Sequence, residues 1–210
     1  MAERRVFAYF DGSNFYHNCK NNYGITNINF LNMCNNLLDM AKEKLVRIKY
    51  FNSPVNKQEN PNGYSAQQRF FERIRATPLT TVFLGNLVPR PLNRIHIKCV
   101  SCGHQIVDTL TCPKCDREIK NHQCRKLSEK GVDVNLAIQM LLDAIDDKYD
   151  IALLFSADAD FSPAIEYIVN KLKKSVVYCN FPTPVTYKLI QCCSEKRMIT
   201  KDIVLESENS

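Results

Sequence analysis

Apolar positions along the chain follow two different spacings in alternation. Arg4–Phe10, Leu45–Phe51, Thr80–Leu87, Ile151–Phe155 and Ser175–Cys179 are strand-length runs with apolar residues at both odd and even positions, as strands covered on both faces have. Between them apolar residues recur at i, i+3 and i+4. One helix is predicted on Phe30, Met33, Cys34, Leu37, Leu38 and Ala41, and others over Ser65–Arg75 and from Asp133 to about Asp146. Two more follow, on Phe161, Ala164, Ile165, Ile168, Val169 and Leu172, and over about Val185–Cys193. Ser53-Pro54 and Asn60-Pro61-Asn62-Gly63 mark a loop between elements. The alternation predicts an α/β fold, a parallel sheet sandwiched by helices. Residues 94–125 keep neither period and carry two cysteine pairs. The expected organisation is therefore one domain formed by 1–93 and 126–206, an insertion at 94–125, and a disordered tail at 207–210.

Aspartates stand where this architecture collects ligands. Val6–Phe10 runs into Asp11, Ile151–Phe155 runs toward Asp158 and Asp160, and Lys130-Gly131-Val132 leads into Asp133 at the start of a helix. In an open parallel sheet, ligands bind outside the carboxyl ends of the strands. Carboxylates gathered there repel one another unless a cation lies between them, and oxygen donors suit a hard cation. Each position alone has a plainer reading. Asp11 can serve only as a helix cap, Asp160 or Ser162 can cap the helix that contains Pro163, and Asp133 can be a first-turn acid that favours the helix dipole.

The insertion pairs Cys99/Cys102 with Cys112/Cys115, the pattern of a four-thiolate structural zinc site. It has no open coordination position, so its expected role is to fold a loop. His96, His104 and His122 nearby read as ordinary surface or core histidines. The remaining cysteines, Cys19, Cys34, Cys124, Cys179, Cys192 and Cys193, read as small buried apolar residues. No apolar run approaches the roughly 18 residues that span a bilayer, and Met1-Ala2-Glu3-Arg4-Arg5 does not resemble an export signal. The expectation is a cytoplasmic protein with reduced thiols and no membrane partner.

Charge is distributed unevenly. Residues 62–130 hold 12 Lys+Arg against 5 Asp+Glu within a chain of formal net charge +6. A basic stretch beside acidic strand ends suits a polyanion held while a cation sits at the scissile bond. A solvated basic surface is the alternative. Arg69 and Arg73 share one helix face near Tyr64, Phe70 and Phe71, which suits stacking on single-stranded bases. In the plainer reading the rings are core and the arginines are solvated.

Three segments together carry a family resemblance: Phe10-Asp11-Gly12-Ser13-Asn14, Lys130-Gly131-Val132-Asp133-Val134-Asn135-Leu136-Ala137, and Ser156-Ala157-Asp158-Ala159-Asp160-Phe161. The chain resembles the NYN (LabA-like) branch of the PIN-like nuclease superfamily over nearly its whole length outside the cysteine insertion. The resemblance implies a Rossmann-like PIN-type sheet, a Mg²⁺- or Mn²⁺-dependent ribonuclease activity, and metal-binding acids at Asp11, Asp133, Asp158 and Asp160. Gln139 departs from the pattern, standing where members often carry a further aspartate, and it binds a divalent cation less well.

The expected function is hydrolysis of RNA phosphodiester bonds by an endonuclease with a structural zinc ribbon. Asn14 and Ser156 are expected to orient the carboxylates, and Ser13, Arg69, Arg73, Lys98, Lys114 and Lys130 to contact nucleic acid. The ribbon is also a candidate surface for self-association or a protein partner. Two alternatives remain: a catalytically weak nucleic-acid-binding adaptor, and a metal-dependent phosphatase on a small phosphate ester, which needs no extended cationic track.

Overall fold

A computed structural model describes residues 3–91, 95–98, 101–102, 104–108, 114–116 and 125–209. In chain order the elements begin with β1 (Arg4–Asp11), α1 (Gly12–Tyr23), α2 (Phe30–Asn35), β2 (Glu43–Asn52), α3 (Pro61–Ala76) and β3 (Thr80–Leu84). Short strands follow: β4 (Asn86–Pro91), β5 (Ile95–Lys98), β6 (Gln105–Asp108) and β7 (Arg125–Lys130). The chain closes with α4 (Val132–Ile145), β8 (Ile151–Phe155), a 3₁₀ turn (Ala159–Phe161), α5 (Ser162–Asn170), β9 (Ser175–Asn180), α6 (Tyr187–Cys192), β10 (Glu195–Met198) and α7 (Lys201–Glu206). It divides into two compact units, Met1–Asn86 with Gly131–Ser210, and Leu87–Lys130. The second unit is wider than the 94–125 insertion read from the cysteines.

The larger unit is a six-stranded sheet in the order β10-β9-β8-β1-β2-β3, with every pairing parallel. This is the expected fold class. Both faces of β1 are buried by strict alternation. Val6, Ala8 and Phe10 pack with Ile48, Tyr50, Leu153 and Phe155 under α1, α2 and α3, while Phe7 and Tyr9 pack with Leu154, Leu136, Met140 and Ile165 under α4 and α5. Strands progress outward from β1 through β2 and β3 on one side. On the other side the chain reaches β8, β9 and β10, so the winding direction reverses between β1 and β8. In doubly wound sheets a crevice opens at that point, beyond the carboxyl ends of the strands.

Several elements differ from the sequence reading. Gly12–Tyr23 forms a helix in which the apolar spacing is weak, started by Asp11 and stopped by Gly24 at φ 73. The helix expected to run from Phe30 through Ala41 ends at Asn35, and Leu37 and Leu38 are held by turn hydrogen bonds to Cys34 and Asn35. The Asn60-Pro61-Asn62-Gly63 turn is the first turn of α3: Asn60 accepts from Gly63 N at 2.8 Å and Pro61 occupies the first helical position. The strand read as Thr80–Leu87 divides at Gly85. A sixth strand, β10, and a last helix, α7, follow Cys193.

The expected disordered end is packed. Ser207 is buried, its carbonyl accepts from Asn29 N, and Asn209 N bonds Asn27 O at 2.9 Å. β10 is secured by Arg197, which grips the buried Glu43 carboxylate at 2.7 and 2.8 Å. In the second unit β4 pairs with β7, and β5 with β6 as an antiparallel hairpin.

Candidate active site at the carboxyl edge

Asp11 closes β1 and caps α1. Its Oδ1 accepts from Asn14 N at 3.1 Å, and its Oδ2 accepts from Ser156 Oγ at 3.0 Å, beyond the carboxyl ends of the paired β1 and β8. The same Ser156 oxygen accepts from Asp158 N at 3.2 Å, so one hydroxyl ties the first acidic segment to the third. Asn14 makes a second tie: its Oδ1 accepts from Ala157 N at 3.0 Å and from Asn18 Nδ2 at 2.7 Å. Gly12 lets the start of α1 lie against buried Tyr50, because a Cβ on it would lie 2.4 Å from that side chain. Asp158 turns its side chain to Asp160 N at 2.9 Å and caps the 3₁₀ turn. Asp133 stands in the first turn of α4, after Gly131 in the left-handed conformation at φ 85.

Electrostatics link these four acids. Burial pushes the Asp11 carboxyl up to about 6; the hydrogen bonds from Asn14 and Ser156 offset part of that, and the charges of Asp133 and Asp158 add to it. Asp133 is also raised, first by desolvation and then by the charges of Asp158 and Asp160. Among the described residues none of the four is in an ion pair with lysine or arginine. Hard, uncompensated oxygen donors, of which Asp11 and Asp133 are raised in part by their acidic neighbours, fit a divalent cation. Among the described residues, however, no three acidic, histidine or cysteine side chains are gathered as a ready-made cage.

The other expected site residues are scattered. Ser13 lies partly buried on the first turn of α1. Arg69 and Arg73 are exposed on α3, but Phe71 is buried and Phe70 packs against Phe30 and Tyr50. The rings are therefore core, as in the plainer reading, and Arg73 covers Phe70 at 5.8 Å. Lys98 ends β5, Lys130 ends β7, and Lys114 lies exposed in a turn, all three in the second unit. Cys102 and Cys115 are exposed. Cys99 and Cys112 lie outside the described residues, as do His122 and Cys124.

The sequence reading missed a buried polar cluster beneath α4. Lys49 of β2 donates from Nζ to Asp143 Oδ2 at 2.5 Å and to Gln139 Oε1 at 3.0 Å, and Tyr9 donates to the same Asp143 oxygen at 2.8 Å. The ammonium also lies 5.4 Å from the Phe83 ring centre. The available signal was Lys49 among the apolar residues Ile48, Tyr50 and Phe51, with Gln139 and Asp143 four apart on one helix.

In a doubly wound parallel domain the switch point, where these acids stand, is the crevice at which ligands bind. The chain is a member of the NYN domain family, whose model matches residues 5–200, and so of the PIN-like nuclease superfamily. A protein of unknown function from Vibrio parahaemolyticus RIMD 2210633 has a similar structure, with a TM-score of 0.62 and 18% identity over 95% of each chain. At that identity the likeness concerns the fold alone. A 64-residue stretch, 30% of this chain, is 39% identical to the 6-hydroxy-3-succinoylpyridine 3-monooxygenase HspA of Pseudomonas putida (strain DSM 28022 / S16), and spans 20% of that relative's length. Among the described residues no helix is long and apolar enough to cross a membrane.

Proposed function

We propose that the protein is a divalent-cation-dependent ribonuclease that hydrolyses internal phosphodiester bonds. The observation that carries this reading is the uncompensated set of carboxylates at the switch point of a NYN domain. Asp11, Asp133, Asp158 and Asp160 would hold Mg²⁺ or Mn²⁺. Such an ion, when bound, polarises the phosphate and lowers the pKa of water. The remaining work falls to the chain. Ser156 and the Asn14 amide N–H each hold one oxygen of Asp11, which fixes its orientation. With its pKa at about 6, Asp11 is largely ionised at neutral pH. Ser13 is placed in the first turn of α1 to contact a phosphate, and the exposed Arg69, Arg73 and Lys114, with Lys98 and Lys130, supply backbone-binding charge.

We also read Cys99, Cys102, Cys112 and Cys115 as one structural zinc site in the second unit. Metal analysis should find about one equivalent, whereas four freely titrating thiols in the native protein would remove it. The deciding assay for the nuclease is cleavage of labelled single-stranded RNA and DNA with Mg²⁺, Mn²⁺ or EDTA. Asp11→Asn and Asp158→Asn should each abolish metal-stimulated RNA cleavage and leave the fold intact. Undiminished cleavage by both variants would exclude this site. The adaptor alternative loses part of its motive, because the Gln139 amide already has a partner in Lys49.

A further inference from the structure

Beside the acidic edge, a narrow recess opens between the start of α1 and the carboxyl ends of β8 and β9. It is lined by Asn14, Asn18, Ser156, Tyr178, Asn180 and Phe181, among others, and none of its lining residues is charged. Asn180 is 4% exposed and its Oδ1 has no hydrogen-bond partner. Its orientation is fixed, because Nδ2 donates to Phe181 O at 3.0 Å, which leaves Oδ1 as the free acceptor of a side chain that lines the recess. Tyr178 is 1% exposed, and its hydroxyl lies beside Thr186. Buried polar atoms without partners are rare in folded proteins and call for an explanation. The free space admits about one water-sized group.

We propose that this recess is a base-reading subsite that accepts the exocyclic amino group of a nucleobase next to the scissile phosphate. The inference rests on the nuclease reading above. Three properties select that group. A neutral lining suits a base rather than a phosphate, space for one small group admits an exocyclic substituent rather than a ring, and an orphan acceptor requires a donor. Cytosine and adenine present an NH₂ group at the 4- or 6-position and guanine at the 2-position, whereas uracil carries only carbonyl oxygens, which would face Asn180 Oδ1 acceptor to acceptor. Ser156 and Asn14, which hold Asp11, also line the recess, so the base would be read beside the phosphate being cleaved.

The test is binding of end-labelled hexamers to the full chain in EDTA, followed by fluorescence anisotropy. Oligocytidine should bind at least about fivefold more tightly than oligouridine, and hexamers carrying a cytosine analogue that lacks the 4-amino group should bind like oligouridine. Asn180→Ala should erase the difference. Its thermal midpoint should fall, because the Nδ2 hydrogen bond to Phe181 O is lost together with the unpartnered oxygen. Equal binding of oligocytidine and oligouridine, or of oligocytidine and its deamino analogue, would overturn the proposal and leave the recess as a site for water only; this comparison needs no variant. RNA cleavage without the amino preference would sink the subsite alone. The preference without any metal-stimulated cleavage would keep the subsite and sink the nuclease.

Discussion

Replacing Lys49 with Met should be among the most damaging single substitutions in the sheet, although it makes the core more apolar. Asp143 is 2% exposed, and Lys49 is its buried countercharge. Without Lys49, Asp143 keeps only the Tyr9 hydroxyl at 2.8 Å and Lys148 at 3.3 Å, and the Lys148 side chain is half exposed. Breaking a buried pair from one side costs about 3–5 kcal/mol. The two surviving contacts place this case near the lower end, a loss of roughly two orders of magnitude in the folding constant. Removing the whole cluster should cost far less. The triple variant Lys49→Met, Asp143→Leu, Tyr9→Phe leaves neither a charge nor a hydroxyl stranded, and should return to within about 1 kcal/mol of the parent. Urea denaturation followed by circular dichroism, with an unchanged slope on denaturant, measures both. A single-variant cost below about 1 kcal/mol, or a triple variant no more stable than Lys49→Met, would refute the reasoning.

Gly12→Ala should destabilise the fold by about 1–3 kcal/mol, because the new methyl meets the buried Tyr50 ring at 2.4 Å; unchanged urea stability would contradict this. Asp11 and Asp150 should shape the pH profile in opposite senses. The Asp11 pKa is raised to about 6, so its favourable contribution is complete below about pH 4 and is lost as pH rises through 6. The Asp150 pKa is lowered to about 2 by Arg5, so its contribution is present above about pH 4 and is lost as pH falls through 2. Asp11→Asn should therefore flatten the metal-free stability profile between pH 4 and 6 in urea titrations. Neutralising Arg69 with Arg73 should weaken binding to all RNA sequences alike and reduce the salt slope by roughly 0.7 per lost contact; an unchanged slope would favour a small-substrate phosphatase.

The parts of the fold that were legible in the sequence are those where burial dictates composition. β1, β2, β8 and β9 are covered on both faces, so their apolar runs stood out, and α4 announced itself because one stripe packs on the sheet. The parts that were not legible owe their structure to local polar chemistry. α1 is started by Asp11 and continues through Asn14, Asn18 and Asn22, whose side chains bond along and beyond the helix; an asparagine-rich helix has little apolar period to read. β10 reads Glu195-Lys196-Arg197-Met198 and is an edge strand held by Arg197 and Glu43, contacts made across 154 residues that no local window contains. At the site, Asp11 and Asp158 followed from strand ends. Ser156's double role, donating to one acid segment and accepting from the other, required the register of β1 against β8.

Helix geometry also changes what Gln139 means. On α4 it lies six residues beyond Asp133, about 9 Å along the axis and turned roughly 120° from it, whereas Asp143 is one turn further on nearly the same face as Gln139. That face meets Lys49, whose ammonium reaches both side chains. A glutamine read as a missing cation ligand is thus an acceptor for a buried lysine, and α4 carries two separate polar tasks: Asp133 at its first turn for the acidic edge, and Gln139 with Asp143 to anchor the helix against β1 and β2. Gln139→Asp would place a second carboxylate beside Lys49 rather than beside Asp11. Mn²⁺ affinity measured by calorimetry should accordingly stay within about twofold, a change of roughly 0.4 kcal/mol or less. A tenfold gain would return Gln139 to the cation site.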